Sequence, residues 1–255
     1  MMAEIYSDSW KISGVRGVVF DKDGTLIDSH IYWGEIIRRR ASALAEELGA
    51  GPEMRERLAA AMGYDHASGR LRPEGPIALK SRAEVIKAVV QCAASGGLSL
   101  SPEKAASVFS SVQAELSGNM QGFIRPLPGV KTLLAALSAA SVPCSLVTSD
   151  SAASSMEILG IMGLGGAFSA VLGRESCREP KESGLPAIEA ARAMVAPPSA
   201  VICVGDAPVD VQMAEKAGLL GAVAVATGQV CPEDLKKLTP YFAGSLNEIK
   251  VGKDA

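Results

Sequence analysis

The sequence has few aromatic residues and no strong excess of charge of either sign. Aromatic residues make up 4% of the chain, and 25 basic residues stand against 28 acidic ones, for a formal net charge of -3. A nucleic-acid-binding surface needs a basic patch, commonly with aromatic side chains on which bases stack. The composition therefore argues against a nucleic-acid partner.

The histidines and cysteines are too few or too scattered for a zinc or redox site. His30 and His66 are the two histidines of the chain, so neither a histidine-rich zinc site nor a histidine-based triad is available. The five cysteines include no CxxC pair, and Cys92, Cys144 and Cys203 lie in apolar stretches where cysteine acts as a small hydrophobic residue. We expect free thiols and a reducing compartment.

Long hydrophobic runs are also missing. The longest, LLGAVAVA at 219–226, is far shorter than the roughly 20 residues needed to cross a bilayer. The N-terminal segment MMAEIYSDSWKISG lacks the basic stretch and following apolar stretch of a secretory signal. We therefore expect a soluble, cytoplasmic protein without a membrane partner. The sequence does not predict whether it is a monomer or a homodimer.

The chain does contain an alternation of short apolar runs and helical patterns. Nearly all-apolar runs, typical of buried parallel strands, lie at 15–20, 142–148, 168–172, 200–204 and 222–226. Helical patterns lie at 129–140, 151–162, 184–195 and 209–217. This alternation predicts an α/β fold, with a Rossmann-like, doubly wound parallel sheet as its core.

The stretch between residues 29 and 125 breaks that alternation. It shows helical patterns at 32–48, 52–62, 79–94 and 102–116 and no convincing strand. Ser101 followed by Pro102 is a clear helix start. We expect residues 1–29 and 125–255 to form the sheet domain and 30–124 to form an inserted helical cap domain.

The clearest chemical signal is VVFDKDGTLID at 18–28. Asp21 and Asp23 come two residues apart at the end of a predicted buried strand, and Gly24 lets the backbone turn sharply after them. Carboxylates crowded at the carboxyl end of a strand repel, and a cation that prefers oxygen ligands, such as Mg²⁺, would offset the repulsion. Ligands of open α/β sheets bind at this edge.

Other kinds of site are less consistent with the residues. An EF-hand calcium loop fails because Gly24 stands at loop position four and Tyr32 at position twelve. No GxxxxGK[ST] phosphate loop occurs, and GLGG at 163–166 follows a helical pattern rather than a strand. A solvated acidic turn remains the simple alternative for Asp21 and Asp23.

Residues 21–26, DKDGTL, resemble the first motif of the haloacid dehalogenase superfamily, DxDGT[LV]. Segments similar to the three further motifs of that superfamily follow in order. These are SLVTSD at 145–150 with Thr148, EPKESG at 179–184 with Lys181, and VICVGDAPVD at 201–210 with Asp206 and Asp210. The third departs from the usual order, since Pro180 precedes Lys181 here.

The resemblance implies a role for each matching residue. Asp21 would attack phosphorus, and Asp23 would first donate and then accept a proton. Lys181 would neutralise charge on Asp21 and on the phosphoryl group, which Thr148, or its neighbours Ser149 and Asp150, would also bind. Mg²⁺ would be held by Asp21, the main-chain carbonyl of Asp23, Asp206 and Asp210.

Variation within the superfamily favours a phosphatase. Its ion-pumping ATPases carry Thr where this chain has Asp23, and its dehalogenases lack that second aspartate. FDKDGTLIDS followed by a helical cap is most similar to the phosphoglycolate phosphatase group, which implies hydrolysis of a small phosphorylated metabolite. A sugar-phosphate mutase of the beta-phosphoglucomutase type remains an alternative, as does a non-catalytic binding or regulatory protein. A phosphonoacetaldehyde hydrolase would need a cap lysine such as Lys80 or Lys87.

Overall fold

The computed structural model describes residues 2–77 and 79–254, which form two compact units. One unit comprises Met1–Asp28 and Arg125–Ala255, and the other comprises Ser29–Ile124. Ser29, which we expected at the end of the sheet domain, lies in the helical unit. It is the first residue of the first helix.

Both units contain strands and helices. In chain order the strands are β1 (Ala3–Tyr6), β2 (Lys11–Val15), β3 (Gly17–Phe20), β4 (Tyr64–Asp65), β5 (Arg70–Leu71), β6 (Cys144–Val147), β7 (Ala170–Leu172), β8 (Val201–Gly205), β9 (Gly221–Val225), β10 (Tyr241–Ala243) and β11 (Lys250–Lys253). The helices are α1 (Ser29–Glu47), α2 (Pro52–Ala61), α3 (Arg82–Ser95), α4 (Pro102–Leu116), α5 (Val130–Ala139), α6 (Ala152–Ile161), α7 (Leu185–Ala193), α8 (Pro208–Lys216) and α9 (Pro232–Leu235).

A six-stranded parallel sheet forms the centre of the larger unit, in the order β10-β9-β8-β3-β6-β7. β3, β6 and β8 are buried at every residue, as expected for nearly all-apolar strands. Alanines of α7 pack against them in a cluster that includes Ala187, Ala190, Ala191, Val19 and Cys203. The predicted α/β fold with a parallel sheet is confirmed.

The order of the strands gathers three loops at one edge of the sheet. β3 pairs with β6 on one side and with β8 on the other. Phe20, the last residue of β3, lies opposite both Leu146 and Val204. The loops after β3, β6 and β8 therefore begin at the same level, at the carboxyl edge where open α/β sheets bind ligands.

Two features of the larger unit differ from the sequence expectations. The run at 15–20 is not one strand: Val15 ends β2, Gly17 begins β3, and the Arg16 N–H between them donates to the Ala200 carbonyl at 2.7 Å. β2 instead pairs with β1, which pairs with β11, in a separate three-stranded antiparallel sheet. β10 was also not expected, because its three residues give too short a pattern to recognise.

The helical unit consists mainly of α1 to α4. α1 packs against both α2 and α4, and α2 against α3. Their shared core is apolar and includes Ile37, Leu44, Leu58, Val89 and Phe109. The expectation of no strand here was wrong, since β4 and β5 pair as a short antiparallel hairpin between α2 and α3.

All five cysteines lie in the described residues and are free, with Cys144 and Cys203 buried. Within residues 2–77 and 79–254, no helix combines the length and the hydrophobicity that crossing a membrane requires.

Side-chain caps fix where two helices of the smaller unit begin. The Ser101 hydroxyl accepts from the Lys104 N–H at 3.1 Å, as its position before Pro102 predicts. α3 begins with a capping box: the Ser81 hydroxyl accepts from the Glu84 N–H, and the Glu84 carboxylate accepts from the Ser81 N–H at 3.0 Å.

We predict that Ser81→Ala destabilises the helical unit by about 1 kcal/mol, because it leaves a first-turn N–H without its cap. Urea unfolding followed by circular dichroism would measure the change. Ser111→Ala is the matched control, since Ser111 is exposed within α4, where alanine is a favourable residue. Equal stability of the Ser81 and Ser111 variants would contradict the prediction.

Candidate active site

Asp21 is the first residue beyond β3 and is still held by the sheet. Its N–H donates to the Val204 carbonyl of β8 at 2.9 Å, and its side chain is buried. The chain then turns back on itself, so that the Lys22 carbonyl accepts from the N–H groups of Leu26 and Ile27 at 2.9 and 3.1 Å. Gly24 makes this turn with φ of +85°, a conformation that favours glycine.

Lys181 lies in the 3-10 turn Lys181–Ser183 that precedes α7, and its ammonium group reaches two carboxylates. It donates to Asp21 Oδ1 at 2.5 Å and to Asp210 Oδ1 at 2.8 Å, and all three side chains are buried. Burial alone would lower the pKa of Lys181, but the Asp21 and Asp210 carboxylates outweigh it and raise that pKa. The lysine is therefore a fixed positive charge beside Asp21.

Asp206 and Asp210 follow β8 and complete a buried acidic cluster with Asp21. Oxygen atoms of the three carboxylates lie within 4.8 Å of one another. Asp210 is in the first turn of α8, where its Oδ2 accepts from the Ala207 N–H at 3.1 Å. The helix N-terminus thus helps to stabilise the ionised form of Asp210, which burial disfavours.

Burial and mutual repulsion raise the pKa values in this cluster. Burial raises the pKa of Asp206 well above its ordinary value, and the carboxylates of Asp21 and Asp210 raise it further. Burial likewise raises the pKa of Asp210 to about 6, although Lys181 acts in the opposite direction. In the metal-free site, each ionised carboxylate therefore makes ionisation of its neighbours less favourable.

Small residues bring the backbone close to Asp206. The Thr25 hydroxyl donates to Asp206 Oδ1 at 3.2 Å, and the Thr227 hydroxyl donates to the Gly24 carbonyl at 2.5 Å. A side chain at Gly24 or Gly228 would overlap the Asp206 carboxylate. The loop after β9 and the loop after β3 therefore enclose Asp206 from two sides.

Asp23 is on the same loop as Asp21, but its carboxylate pairs with a different lysine. Its Oδ1 accepts from the Lys22 ammonium at 2.8 Å, and its side chain is 15% exposed. Its carboxylate is not part of the acidic cluster found among the described residues, so the expected metal contact through its carbonyl stays a prediction. Burial raises the pKa of Asp23 to about 7, which makes both protonation forms available near neutral pH.

Thr148 directly follows β6 and is buried, whereas its neighbour Ser149 is exposed. The Thr148 hydroxyl oxygen accepts from the Asp150 N–H at 3.1 Å, and the Thr148 N–H donates to the Leu172 carbonyl at 2.9 Å. Asp150 is linked to the first loop, because its Oδ2 accepts from the Lys22 ammonium at 2.7 Å. Lys22 thus links Asp150, at the end of the second motif, to Asp23 of the first motif.

Lys22, Thr25 and Asp150 also belong to this site. The motifs assign no role to Lys22 or Thr25, and they give Asp150 only as an alternative to Thr148. A signal existed for Lys22: a charged residue at the end of a buried strand needs a carboxylate partner. The partner itself was not predictable, because Asp150 lies 128 residues further along the chain.

A family model described as haloacid dehalogenase-like hydrolase matches residues 15–218, which include every motif residue of the site. The chain belongs to the haloacid dehalogenase-like hydrolase family. The resemblance inferred from the four short motifs is therefore confirmed.

Curated relatives of this hydrolase carry the name phosphoglycolate phosphatase. The protein from Neisseria meningitidis is 32% identical over 50% of this chain and 55% of its own length. The protein from Chromobacterium violaceum is 28% identical over 84% of this chain and 86% of its own length. The match thus spans about half of the first relative and most of the second.

Two solved structures share the fold of this chain. A predicted phosphoglycolate phosphatase from Haemophilus somnus has a TM-score of 0.70 at 19% identity, covering 92% of this chain and 96% of that one. A putative beta-phosphoglucomutase from Thermotoga maritima has a TM-score of 0.63 at 17% identity, covering 90% and 94%. At such identities the likeness concerns the fold alone.

We predict that Gly228→Ala weakens Mg²⁺ binding by about tenfold or more, because the new methyl group must displace the Asp206 carboxylate. Isothermal titration calorimetry with Mg²⁺ measures this without any substrate. Gly160→Ala is the matched control, since Gly160 lies in α6 with open space around it. Wild-type Mg²⁺ affinity in folded Gly228→Ala would contradict the prediction.

We also predict that Asp206→Asn stabilises the metal-free protein at pH 8, by on the order of 2–4 °C in melting temperature. The folded-state pKa of Asp206 is raised, so the folded protein binds more protons than the unfolded chain and loses stability as pH rises. The gain from the substitution should therefore fade towards pH 5.5.

Melting in EDTA at pH 5.5 and 8 measures this difference. Saturating Mg²⁺ should reverse it at pH 8, because the cation stabilises wild type more than Asp206→Asn. The interpretation fails if wild type and Asp206→Asn show the same dependence of melting temperature on pH in EDTA.

Proposed function

We propose that this protein is a Mg²⁺-dependent phosphatase that hydrolyses a small phosphorylated metabolite through a phosphorylated Asp21. The observation that carries the proposal is the buried arrangement of Asp21, Lys181, Asp206 and Asp210, with Asp23 on the same loop as Asp21. Such a set combines a nucleophile, a fixed cation and an acid–base group at the ligand-binding edge of the sheet.

The acidic cluster fits a divalent cation. Three buried carboxylates lie within reach of one ion, and the Lys181 ammonium contacts two of them, so negative charge remains in excess. Carboxylate oxygens are the ligands that Mg²⁺ prefers. We propose that Asp21, Asp206, Asp210 and the Asp23 carbonyl hold the ion, which would neutralise charge on the phosphoryl oxygens.

In the first step, an Asp21 carboxylate oxygen attacks phosphorus while the bond from phosphorus to the leaving oxygen breaks. Asp23 gives its proton to that oxygen, so the product leaves as a neutral alcohol. The Lys181 ammonium, hydrogen-bonded to Asp21, offsets negative charge on the nucleophile and on the transferred group.

In the second step, water attacks the phosphorus atom of phosphorylated Asp21, and Asp23 accepts the proton of that water. The Asp21–phosphorus bond breaks, which releases inorganic phosphate and restores the carboxylate. The raised pKa of Asp23, about 7, supports a carboxyl group that both donates and accepts a proton near neutral pH.

Thr148 and Ser149 are proposed to bind the phosphoryl oxygens. Because the Thr148 hydroxyl oxygen already accepts from the Asp150 N–H, its own hydrogen remains to be donated. We further propose that the helical unit Ser29–Ile124 acts as a cap that excludes water and selects the substrate.

Phosphoglycolate is the proposed substrate, supported by the names of the relatives that match by sequence. A sugar-phosphate mutase is the second candidate, because one neighbour by fold is a putative beta-phosphoglucomutase. A mutase would interconvert sugar phosphates with little net release of inorganic phosphate, so product analysis separates the two.

We predict that Asp21→Asn lowers Mg²⁺-dependent phosphate release at least about a thousandfold, because an amide does not replace the nucleophilic carboxylate. The measurement is phosphate release from phosphoglycolate and a panel of sugar phosphates, with Mg²⁺ or with EDTA. Asp234→Asn, at an exposed position of α9, is the control that should keep full activity.

Three results would count against this function. Phosphate release by Asp21→Asn at the wild-type rate would exclude Asp21 as the nucleophile. Isomerised sugar phosphate without released phosphate would favour the mutase. If folded wild type with Mg²⁺ neither releases phosphate from nor isomerises any substrate of the panel, a non-catalytic binding protein would be favoured.

A further inference from the structure

Lys22 stands between the two aspartates of the first motif, and its side chain is completely buried. Its ammonium group donates to Asp23 Oδ1 at 2.8 Å and to Asp150 Oδ2 at 2.7 Å. The lysine side chain is 0% exposed, whereas the two carboxylates are 15% and 16% exposed. The ammonium group therefore bridges two carboxylates from inside the protein.

A buried ammonium group is costly, and it is a weak way to gain stability. Removing a charge from water is repaid only when partners and geometry are good, and apolar residues of similar volume often serve stability equally well. An apolar side chain would fill the space occupied by Lys22. What an apolar residue would not supply is the pair of directed hydrogen bonds to Asp23 and Asp150.

Both ends of the bridge are anchored. The Lys22 carbonyl accepts from the Leu26 and Ile27 N–H groups, which fixes the backbone from which its side chain extends. The Asp150 N–H donates to Thr148 Oγ1 at 3.1 Å, and the Asp150 carbonyl accepts from the Arg174 N–H at 2.9 Å. Asp23 is thus tied, through Lys22, to a loop that is itself held in place.

We propose that Lys22 is a positioning residue, whose bridge to Asp150 orients the Asp23 carboxyl group for proton transfer to the leaving group. The inference rests on the proposed phosphatase function. Lys22 engages Oδ1 of Asp23, so the other oxygen, Oδ2, is the one that carries the transferred proton. Proton transfer needs the donor within hydrogen-bond reach of the leaving oxygen, and a freely rotating carboxyl group would meet that condition less often.

This role has a consequence that depends on the leaving group. The leaving group of an alkyl phosphate such as phosphoglycolate is a basic alkoxide unless it is protonated as the bond to phosphorus breaks, whereas the leaving group of p-nitrophenyl phosphate is the stable p-nitrophenolate anion. General acid catalysis matters for the first and little for the second. Loss of the Lys22 bridge should therefore affect the two substrates unequally in kcat/KM, which reports the phosphorylation of Asp21.

The test compares wild type with Lys22→Met, which keeps the length of the side chain and removes its charge. We expect kcat/KM for the best alkyl phosphate of the panel to fall about a hundredfold, within the usual range for general acid catalysis. For p-nitrophenyl phosphate we expect a loss of less than about fivefold, because that leaving group needs little protonation.

Asp150→Asn tests the other end of the bridge and should give the same selective loss. The double variant, Lys22→Met with Asp150→Asn, should be no worse than Lys22→Met alone, since residues that act as a unit are not additive. Because Asp150 is partly exposed, its variant carries the test if Lys22→Met does not fold.

Two controls separate positioning from other effects. Lys181→Met should lower kcat/KM for both substrates to a similar extent, because Lys181 contacts the nucleophile itself. Lys131→Met, at an exposed position of α5, should leave both values unchanged.

Equal losses on the alkyl and aryl substrates in folded Lys22→Met or Asp150→Asn would overturn the positioning role. Additive effects in the double variant would also overturn the bridge as a unit. Inactive wild type would instead contradict the proposed function, so the two failures are distinguishable.

Discussion

Five carboxylates meet around the carboxyl ends of β3, β6 and β8, and their repulsion must be offset before this part of the chain can fold. Two buried ammonium groups do so, and each bridges a pair. Lys181 contacts Asp21 and Asp210, and Lys22 contacts Asp23 and Asp150. Asp206 receives a hydroxyl hydrogen bond from Thr25 instead, and its pKa is raised well above the ordinary value.

This division of charge also separates the chemical tasks. The pair bridged by Lys181 includes Asp21, the proposed nucleophile, and belongs to the cluster proposed to hold Mg²⁺. The pair bridged by Lys22 includes Asp23, the residue proposed to transfer protons. Asp21 and Asp23 are two residues apart in sequence, yet their carboxylates pair with different ammonium groups. The negative charge of Asp21 still acts on Asp23 and is one of the causes that raise its pKa.

Much of the site could be predicted because its residues follow strands that are easily recognised. Runs of apolar residues predict β3, β6 and β8, and parallel strands place their carboxyl ends at one edge. Asp21, Thr148 and Asp206 each lie just beyond one of these strands. Their roles came from the family resemblance, since an acidic residue after a strand has no unique meaning by itself.

The parts that could not be predicted depend on contacts between distant segments. The Lys22–Asp150 ion pair joins residues 128 positions apart, and no local pattern encodes it. The antiparallel sheet joins β1 to β11 from opposite ends of the chain. β4, β5 and β10 are too short for a periodic pattern, so their pairing is decided by tertiary context.

Lysine at both bridging positions is consistent with the space available. Each ammonium group lies between carboxylates contributed by different segments of the chain, and a compact charge with three donors can serve two such partners at once. Arginine would bring a larger planar group that suits bidentate pairing with a single carboxylate. Since Lys22 is 0% exposed and Lys181 is 5% exposed, neither position offers that group solvent to extend into. The identity of the cation, and not only its charge, is therefore part of how this edge of the sheet is built.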